Sequence, residues 1–187
     1  MTSRLPLRAA ILVVAVFVAV ALLVLRPDGD AADPVPAGHG RVVDVVDGDT
    51  LRLDIGGEEE TVRLLGIDTP EVRHPTRPVE CYGAEASDRL AALTPPGAVL
   101  RLERDEEARD HYGRLLLYVH ATAADGSEIF VNRQMVLEGA AVALAIDPND
   151  AHRDVLADAE RQARDAERGL WGACGGPGVP VDPLSDR

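Results

Sequence analysis

The sequence predicts a small closed β-barrel with α-helices inserted into it and packed after it, an α+β domain. Three observations lead there. Five short strand-like stretches lie between residues 41 and 121, each bounded by Gly-, Pro- or Asp-rich turns. Helical patterns interrupt these stretches once and follow them twice. The 187 residues are enough for one domain with a full apolar core, and no internal repeat is visible.

Residues 41–46 read as a short strand and Asp47-Gly48-Asp49 as a tight turn. In residues 50–55, Leu51, Leu53 and Ile55 alternate with Arg52 and Asp54, the mark of a half-buried strand. Gly56-Gly57 is a hairpin signal. Residues 60–67 form the third strand, with Arg63 pointing out of it. Pro70 pushes Thr69 toward an extended conformation and ends regular pairing, so Asp68 and Glu71 stand at the mouth of the sheet.

Residues 71–82, with Pro75 and Pro78 and no period, are a loop. Residues 83–93 are helical and stop at Thr94-Pro95-Pro96. Residues 98–104 and 113–121 are strands, separated by the charged loop 105–110; residues 124–127 are a turn. Asn132 caps a short helix ending at Gly139, and residues 140–146 are apolar and extended. Asp150 caps a long helix to about Arg168, with Val155, Leu156, Ala159 and Ala163 on its buried stripe; Gly169 ends it and Trp171 packs behind. A closed barrel of five such strands fits the OB type, which binds oligonucleotides on one face.

The first 40 residues belong elsewhere. Residues 9–25 carry no charge, Arg4 and Arg8 precede them and Arg26 follows. This is an uncleaved signal anchor, with a cleaved signal peptide as the alternative; either way the rest of the chain is exported. The expected organisation is a transmembrane segment over 1–26, a linker over 27–40, the folded domain over 41–174 and a flexible Gly/Pro-rich tail over 175–187. Cys81 and Cys174 are an even pair in an exported domain, which predicts a disulfide; two unrelated buried thiols are the alternative. Their spacing excludes a CxxC redox or zinc site. His39, His74, His111, His120 and His152 show no metal-ligand spacing and read as surface or loop residues.

A formal charge of −13 argues against binding a polyanion, which favours a basic surface. All 19 basic residues are arginine, a compositional habit of the source that leaves the better bidentate phosphate ligand in place. Three segments concentrate ionisable groups at turns and strand ends: Asp47-Gly48-Asp49-Thr50, Arg63 to Glu71, and Asp110-His111-Tyr112-Gly113-Arg114. Alone, each has a bland reading: Asp-Gly-Asp is commonly a hairpin turn, and a strand arginine is commonly a solvated surface residue.

Together, in this order, they resemble the staphylococcal (thermonuclease-type) nuclease family over residues 41–171. The matching pieces are Val-Val-Asp-Gly-Asp-Thr-Leu, Arg-Leu-Leu-Gly-Ile-Asp-Thr-Pro-Glu, His-Pro, Tyr-Gly-x-Glu-Ala, Asp-x-Tyr-Gly-Arg-Leu-Leu-Leu-Tyr-Val, and later Val-Asn and Leu-Trp. The resemblance implies an OB-fold five-stranded barrel with three helices. It implies a Ca²⁺-dependent nuclease that cleaves DNA and RNA and prefers single strands. It implies that Asp49, Asp68 and the Thr69 carbonyl hold the ion, with Asp47 acting one step further out. It also implies that Glu71 handles the attacking water and that Arg63 and Arg114 grip the phosphate. Physical chemistry favours such a division, because Ca²⁺ takes oxygen ligands and keeps positions open for water and phosphate. Paired guanidinium hydrogen bonds meet the charge that grows in the transition state.

The sequence departs from the family where tyrosines usually stand before the last Pro-Asn loop. Here it reads Leu144-Ala145-Ile146-Asp147-Pro148-Asn149, which removes base stacking worth about 1–3 kcal/mol and adds a negative charge. Tyr112 and Tyr118 remain, the latter as a core residue, and Arg77 is either a ligand for one further phosphate or a plain solvated arginine. A non-catalytic OB module that binds nucleic acid or protein is the competing reading. Such a copy loses its carboxylates or arginines, and this chain keeps all of them. No obligate protein partner is evident, and a monomer is expected.

Overall fold

A ring of five strands forms the barrel in a computed structural model that describes residues 35–72 and 78–181. In chain order the elements are β1 (His39–Asp47), β2 (Thr50–Ile55), β3 (Glu58–Leu64), β4 (Ile67–Asp68), α1 (Gly83–Leu93), β5 (Val99–Glu103) and β6 (Leu115–Thr122). There follow β7 (Glu128–Phe130), α2 (Val131–Leu137), β8 (Val142–Ala143), α3 (Arg153–Asp165) and α4 (Leu170–Cys174). Strands β1, β2 and β3 make an antiparallel meander, and β1 also pairs with β5, which pairs with β6. Closure comes from the parallel pairing of β3 with β6, in register Val62↔Leu115, Arg63↔Leu116, Leu64↔Leu117.

Period-2 alternation fills the ring. Leu51, Leu53, Val62, Leu64, Leu100 and Leu117 point inward and are fully buried. Each such side chain contributes about 1.5–3 kcal/mol by leaving water. Two register shifts in β1, between Val42 and Asp44 and between Val45 and Asp47, bend the strand as bulges do. The second shift delivers Asp47 opposite Thr50 at the end of the barrel, with Gly48 and Asp49 in the turn between.

Several expectations need correction. The third strand does not run to Ile67: it ends at Leu64, and Gly66 turns the chain at φ +75°. A Cβ at Gly66 would stand 2.3 Å from Leu156 of α3, so the turn is also where that helix packs. The chain resumes as β4, paired with β8 through Ile67↔Ala143 and Asp68↔Val142. The stretch 140–146 is thus regular over two residues only. The barrel has its five strands, but β7 adds a sixth to the far half of β6, and four helices stand among the described residues where three were expected.

Asn132 is not a cap. It lies inside α2, fully buried, where its Oδ1 accepts the Val119 amide and its Nδ2 donates to the Leu65 carbonyl. Asp150 makes no side-chain cap to α3; its carboxylate takes a hydrogen bond from Arg153. Leu156, Ala159 and Ala163 are buried on that helix as expected, but Val155 is exposed, because the stripe is narrower than the apolar count implied. Arg164 lies over the Trp171 ring, 4.9 Å from its centroid.

His120 and His152 are not ordinary surface histidines. Their Nε2 atoms meet the two oxygens of Glu103 at 3.0 and 2.7 Å, joining β6 and the start of α3 to β5. Cys81 and Cys174 form the expected disulfide, with Cα atoms 6.1 Å apart. The fold begins at His39, before the expected boundary, because His39 and Gly40 pair with Arg101 and Leu100. Beyond residue 174 the chain pairs with the segment before α1 as far as Val181. The expected transmembrane segment and the loop carrying His74 and Arg77 lie outside the described residues. Among the described residues no helix is long and apolar enough to cross a membrane.

Candidate active site

At one end of the barrel, the β1–β2 turn, the β3–β4 corner and the entry to β6 meet around a cavity of about 590 Å³. Asp49, Arg63, Asp68, Thr69, Glu71 and Arg114, all singled out from the sequence, line it together. Asp47, Pro70, Val72, Glu80, Val142, Leu170, Pro177 and Gly178 complete the wall.

Asp49 is held most tightly. One oxygen accepts the Thr50 hydroxyl at 3.0 Å; the other accepts the Thr69 amide at 3.2 Å and the Thr69 hydroxyl at 3.1 Å. Its own amide donates to Asp47 at 3.2 Å. Gly48 is required beside it, since a Cβ there would stand 2.7 Å from Thr69 Oγ1. The Asp49 carboxyl is raised to about 6: burial pushes it up most, Arg63 draws it down, and Asp47 and Asp68 add to the rise.

Arg63 does not point out freely from its strand. Nη1 donates to the carbonyls of Leu64 and Ile67, both at 2.8 Å, which become available because the chain turns at Gly66. Nη2 lies 3.1 Å from Asp49 Oδ2 and 3.0 Å from Asp68 Oδ1. One guanidinium therefore spans both carboxylates. Arg114 is set by Asp110, whose Oδ2 accepts Nε at 2.7 Å and whose Oδ1 accepts the Arg114 amide at 2.9 Å. Burial pushes the Asp110 carboxyl up, but the hydrogen bonds from Arg114 outweigh it and hold it below the usual range. The guanidinium carbon of Arg114 lies 5.5 Å from the centroid of the Tyr112 ring, which is 74% exposed.

Glu71 is fixed through its backbone: its amide donates to Glu80 Oε2 at 3.1 Å, and its carbonyl accepts the Glu80 amide at 2.8 Å. Sequence reasoning missed Glu80, Leu170, Pro177 and Gly178 as cavity residues. Glu80 sat in a stretch without a period, and the others lie about a hundred residues from the motif. A second cavity of about 390 Å³ shares Arg63 and Arg114 with the first, and Leu116, Leu144 and Ile146 give it an apolar wall. Leu144 and Ile146 are both exposed, and Asp147 between them and Pro148 pairs with Arg153 at 2.6 Å. Tyr118 is buried in the core, and its hydroxyl donates to Asp105.

The donor set fits a hard cation. Among the described residues, the carboxylates of Asp47, Asp49, Asp68, Glu71 and Glu80 and the guanidinium groups of Arg63 and Arg114 line the cavity. Every side-chain donor among those carboxylates is an oxygen. Among the described residues no group of three or more His, Cys, Asp or Glu side chains is placed to hold a metal. A hard cation held by two of these carboxylates would keep further coordination positions for water and other oxygen ligands.

A barrel closed by β3 and β6, with carboxylates and guanidinium groups at one mouth, is the architecture of an OB-type site. The chain belongs to the staphylococcal nuclease family: the model described as "Staphylococcal nuclease homologue" matches residues 61–173. It is 38% identical over 132 residues to "Thermonuclease" of Staphylococcus hyicus, which is 70% of this chain and 74% of that protein. It is 40% identical over 127 residues to "Thermonuclease" of Staphylococcus intermedius, 68% of this chain and 72% of the relative. "Endonuclease YncB" of Bacillus subtilis is 38% identical over 132 residues, 70% of this chain and 60% of the relative's length.

Proposed function

We propose that this chain is a nuclease that hydrolyses phosphodiester bonds of DNA and RNA, depends on Ca²⁺ and prefers single strands. The observation that carries the reading is that Asp49, Asp68, Thr69, Glu71, Arg63 and Arg114 line one cavity, although they come from three separate stretches of sequence. The curated relatives named thermonuclease and endonuclease support the reaction class.

Asp49, Asp68 and the Thr69 carbonyl are the groups that would hold the ion. A bound calcium would supply Lewis acidity toward the phosphate and a site for water. Thr50 and Thr69 orient the Asp49 oxygens, and Asp47 steadies the turn from below. Arg114, pre-set by Asp110, donates to a phosphate oxygen, where a planar fork makes paired charge-assisted bonds. Arg63, held between Asp49 and Asp68 at the cavity wall, is the second guanidinium placed to donate to a phosphate oxygen. Glu71 orients the attacking water or takes its proton. A cation that offsets the acidic wall also answers the objection raised by the net charge of −13. Beyond a Debye length of about 8 Å, salt screens the rest of the surface.

The second cavity is the place for a base next to the gripped phosphate, with Leu144 and Ile146 giving apolar contact in place of stacking. The chain acts as a monomer. Residues 9–25 anchor it with the nuclease domain outside the cytoplasm, or are cleaved to release it. The Cys81–Cys174 disulfide supports an oxidising location.

The test is hydrolysis of single-stranded DNA by the purified protein with millimolar Ca²⁺ and with excess EGTA. Hydrolysis with calcium alone is expected; full activity in EGTA rejects the mechanism.

A further inference from the structure

We propose that Glu80 is a positioning residue for Glu71, and that the C-terminal strap of residues 175–181 holds Glu80 in that role. The inference rests on the reading of Glu71 as the group that handles the attacking water.

Glu80 and Glu71 clasp each other reciprocally. The Glu80 carboxylate accepts the Glu71 amide at 3.1 Å, while the Glu80 amide donates to the Glu71 carbonyl at 2.8 Å. Gly83, at the start of α1, closes on the same backbone: a Cβ there would stand 3.0 Å from the Pro70 carbonyl oxygen and 3.2 Å from that of Glu71. The backbone that carries Glu71 is thus held by Glu80 on one side and by the start of α1 on the other.

The strap then grips Glu80. The Cys81 amide donates to the Val179 carbonyl at 2.7 Å, and the Val181 amide donates to the Val79 carbonyl at 3.0 Å. Glu80 and Pro180 lie opposite each other between these two bonds. That is the non-hydrogen-bonded position of an antiparallel pair, the one place where a proline removes no ladder bond. The Cys81–Cys174 disulfide fastens the start of the strap to the same short segment. Pro177 and Gly178 meanwhile reach the cavity that Glu71 and Glu80 line. A chain end with no place in the barrel therefore builds one wall of the site and fixes the segment that orients a reacting group.

The experiment compares the full chain with Glu80→Ala, Glu80→Gln and the double substitution Cys174→Ser/Val181→Pro, which unpins the strap at both ends. Two readouts are taken: kcat and KM on single-stranded DNA at saturating Ca²⁺, and hydrogen exchange of the Glu71 amide. Glu80→Ala is expected to lower kcat about tenfold or more with KM within about twofold. It is also expected to speed exchange at Glu71 about tenfold or more. Glu80→Gln retains an acceptor oxygen and is expected to restore most of both. The strap variant is expected to move both in the direction of Glu80→Ala. Unchanged kcat or unchanged Glu71 exchange in Glu80→Ala overturns the proposal. A Glu80→Gln variant as impaired as Glu80→Ala also overturns it, because the charge rather than the acceptor would then be what matters. If the unsubstituted chain does not cleave DNA, the function proposed above fails by itself, and the exchange measurement still decides whether Glu80 positions Glu71.

Discussion

Replacing Gly48 with alanine is expected to disable the site while leaving the barrel folded. The new Cβ would stand 2.7 Å from Thr69 Oγ1, 2.9 Å from Thr69 Cβ and 3.0 Å from Thr69 Cγ2. Ordinary contact needs a separation about 0.5–0.7 Å longer. Threonine is branched at Cβ, so no rotation takes all three atoms away, and the backbone at Thr69 has to give. That backbone is what aims the Thr69 carbonyl, and the Thr69 amide and hydroxyl both donate to Asp49 Oδ2. Hydrogen bonds to a charged group are worth about 1.5–3 kcal/mol each, and overpacking of this kind costs about 1–3 kcal/mol in total stability. A displacement near 1 Å at a reacting centre lowers rate by about 10²-fold. The assay is hydrolysis of single-stranded DNA across a calcium titration, run beside a thermal melt. We expect a higher calcium midpoint, a kcat lower by about 10–100-fold and a melting temperature lower by several degrees. A kcat and a calcium midpoint both within about twofold of the unsubstituted protein would refute the coupling of Gly48, Thr69 and Asp49. Global unfolding at room temperature would refute the claim that the effect is local.

Arg63→Ala and Arg114→Ala are each expected to lower turnover by about 10²-fold, as loss of one transition-state donor does. Arg63→Ala should also lower the melting temperature more than Arg114→Ala, because it leaves the buried Asp49 carboxylate without its nearest cation; a rate equal to the unsubstituted protein removes that arginine from the site. The share of stability that depends on His120 should fall as pH drops below about 6.5, where the unfolded chain binds the proton that His120 resists, while Asp49, raised to about 6, works the other way because the folded state takes up its proton first. Burial holds His120 below its ordinary value although the Glu103 hydrogen bond draws it up, so the folded state protonates later; a His120→Gln variant whose urea midpoints change between about pH 5 and 7 just as those of the unsubstituted protein do would reject this. Burial pushes Glu103 up, but hydrogen bonds from His152 and His120 hold it low, so its share is lost further into acid, below the ordinary carboxylate range. Reducing the Cys81–Cys174 disulfide, which closes a separation of 93 residues, is expected to cost about 4–5 kcal/mol in the chain-entropy account. The corresponding drop in melting temperature is about 10–15 °C, and an unchanged melt under reductant would show that the bond constrains little.

The sequence by itself determined the strands of the ring, since the Leu51–Leu53–Ile55 alternation and the turns at Gly48 and Gly56-Gly57 act over two or three residues. It also determined which ionisable residues to bring together, because motif order and spacing survive without coordinates. Tertiary structure alone decided how they meet. The guanidinium of Arg63 lies across Asp49 and Asp68 because the chain turns at Gly66 and offers it two carbonyls, which no periodicity in residues 60–67 reveals. Asn132 became a buried tie between Val119 and Leu65 because α2 packs across the barrel, against a local preference for capping. His120 and His152 became partners of Glu103 only when β5, β6 and α3 came together. Glu80, Pro177 and Gly178 reached the cavity through pairing between residues 79–81 and 179–181, a hundred residues apart. Pleat alternation and turn chemistry are short-range and leave their mark on neighbouring residues. Ion pairing, burial and strand closure depend on which distant segments share a surface, and that is settled only when β3 pairs with β6 and the ring shuts.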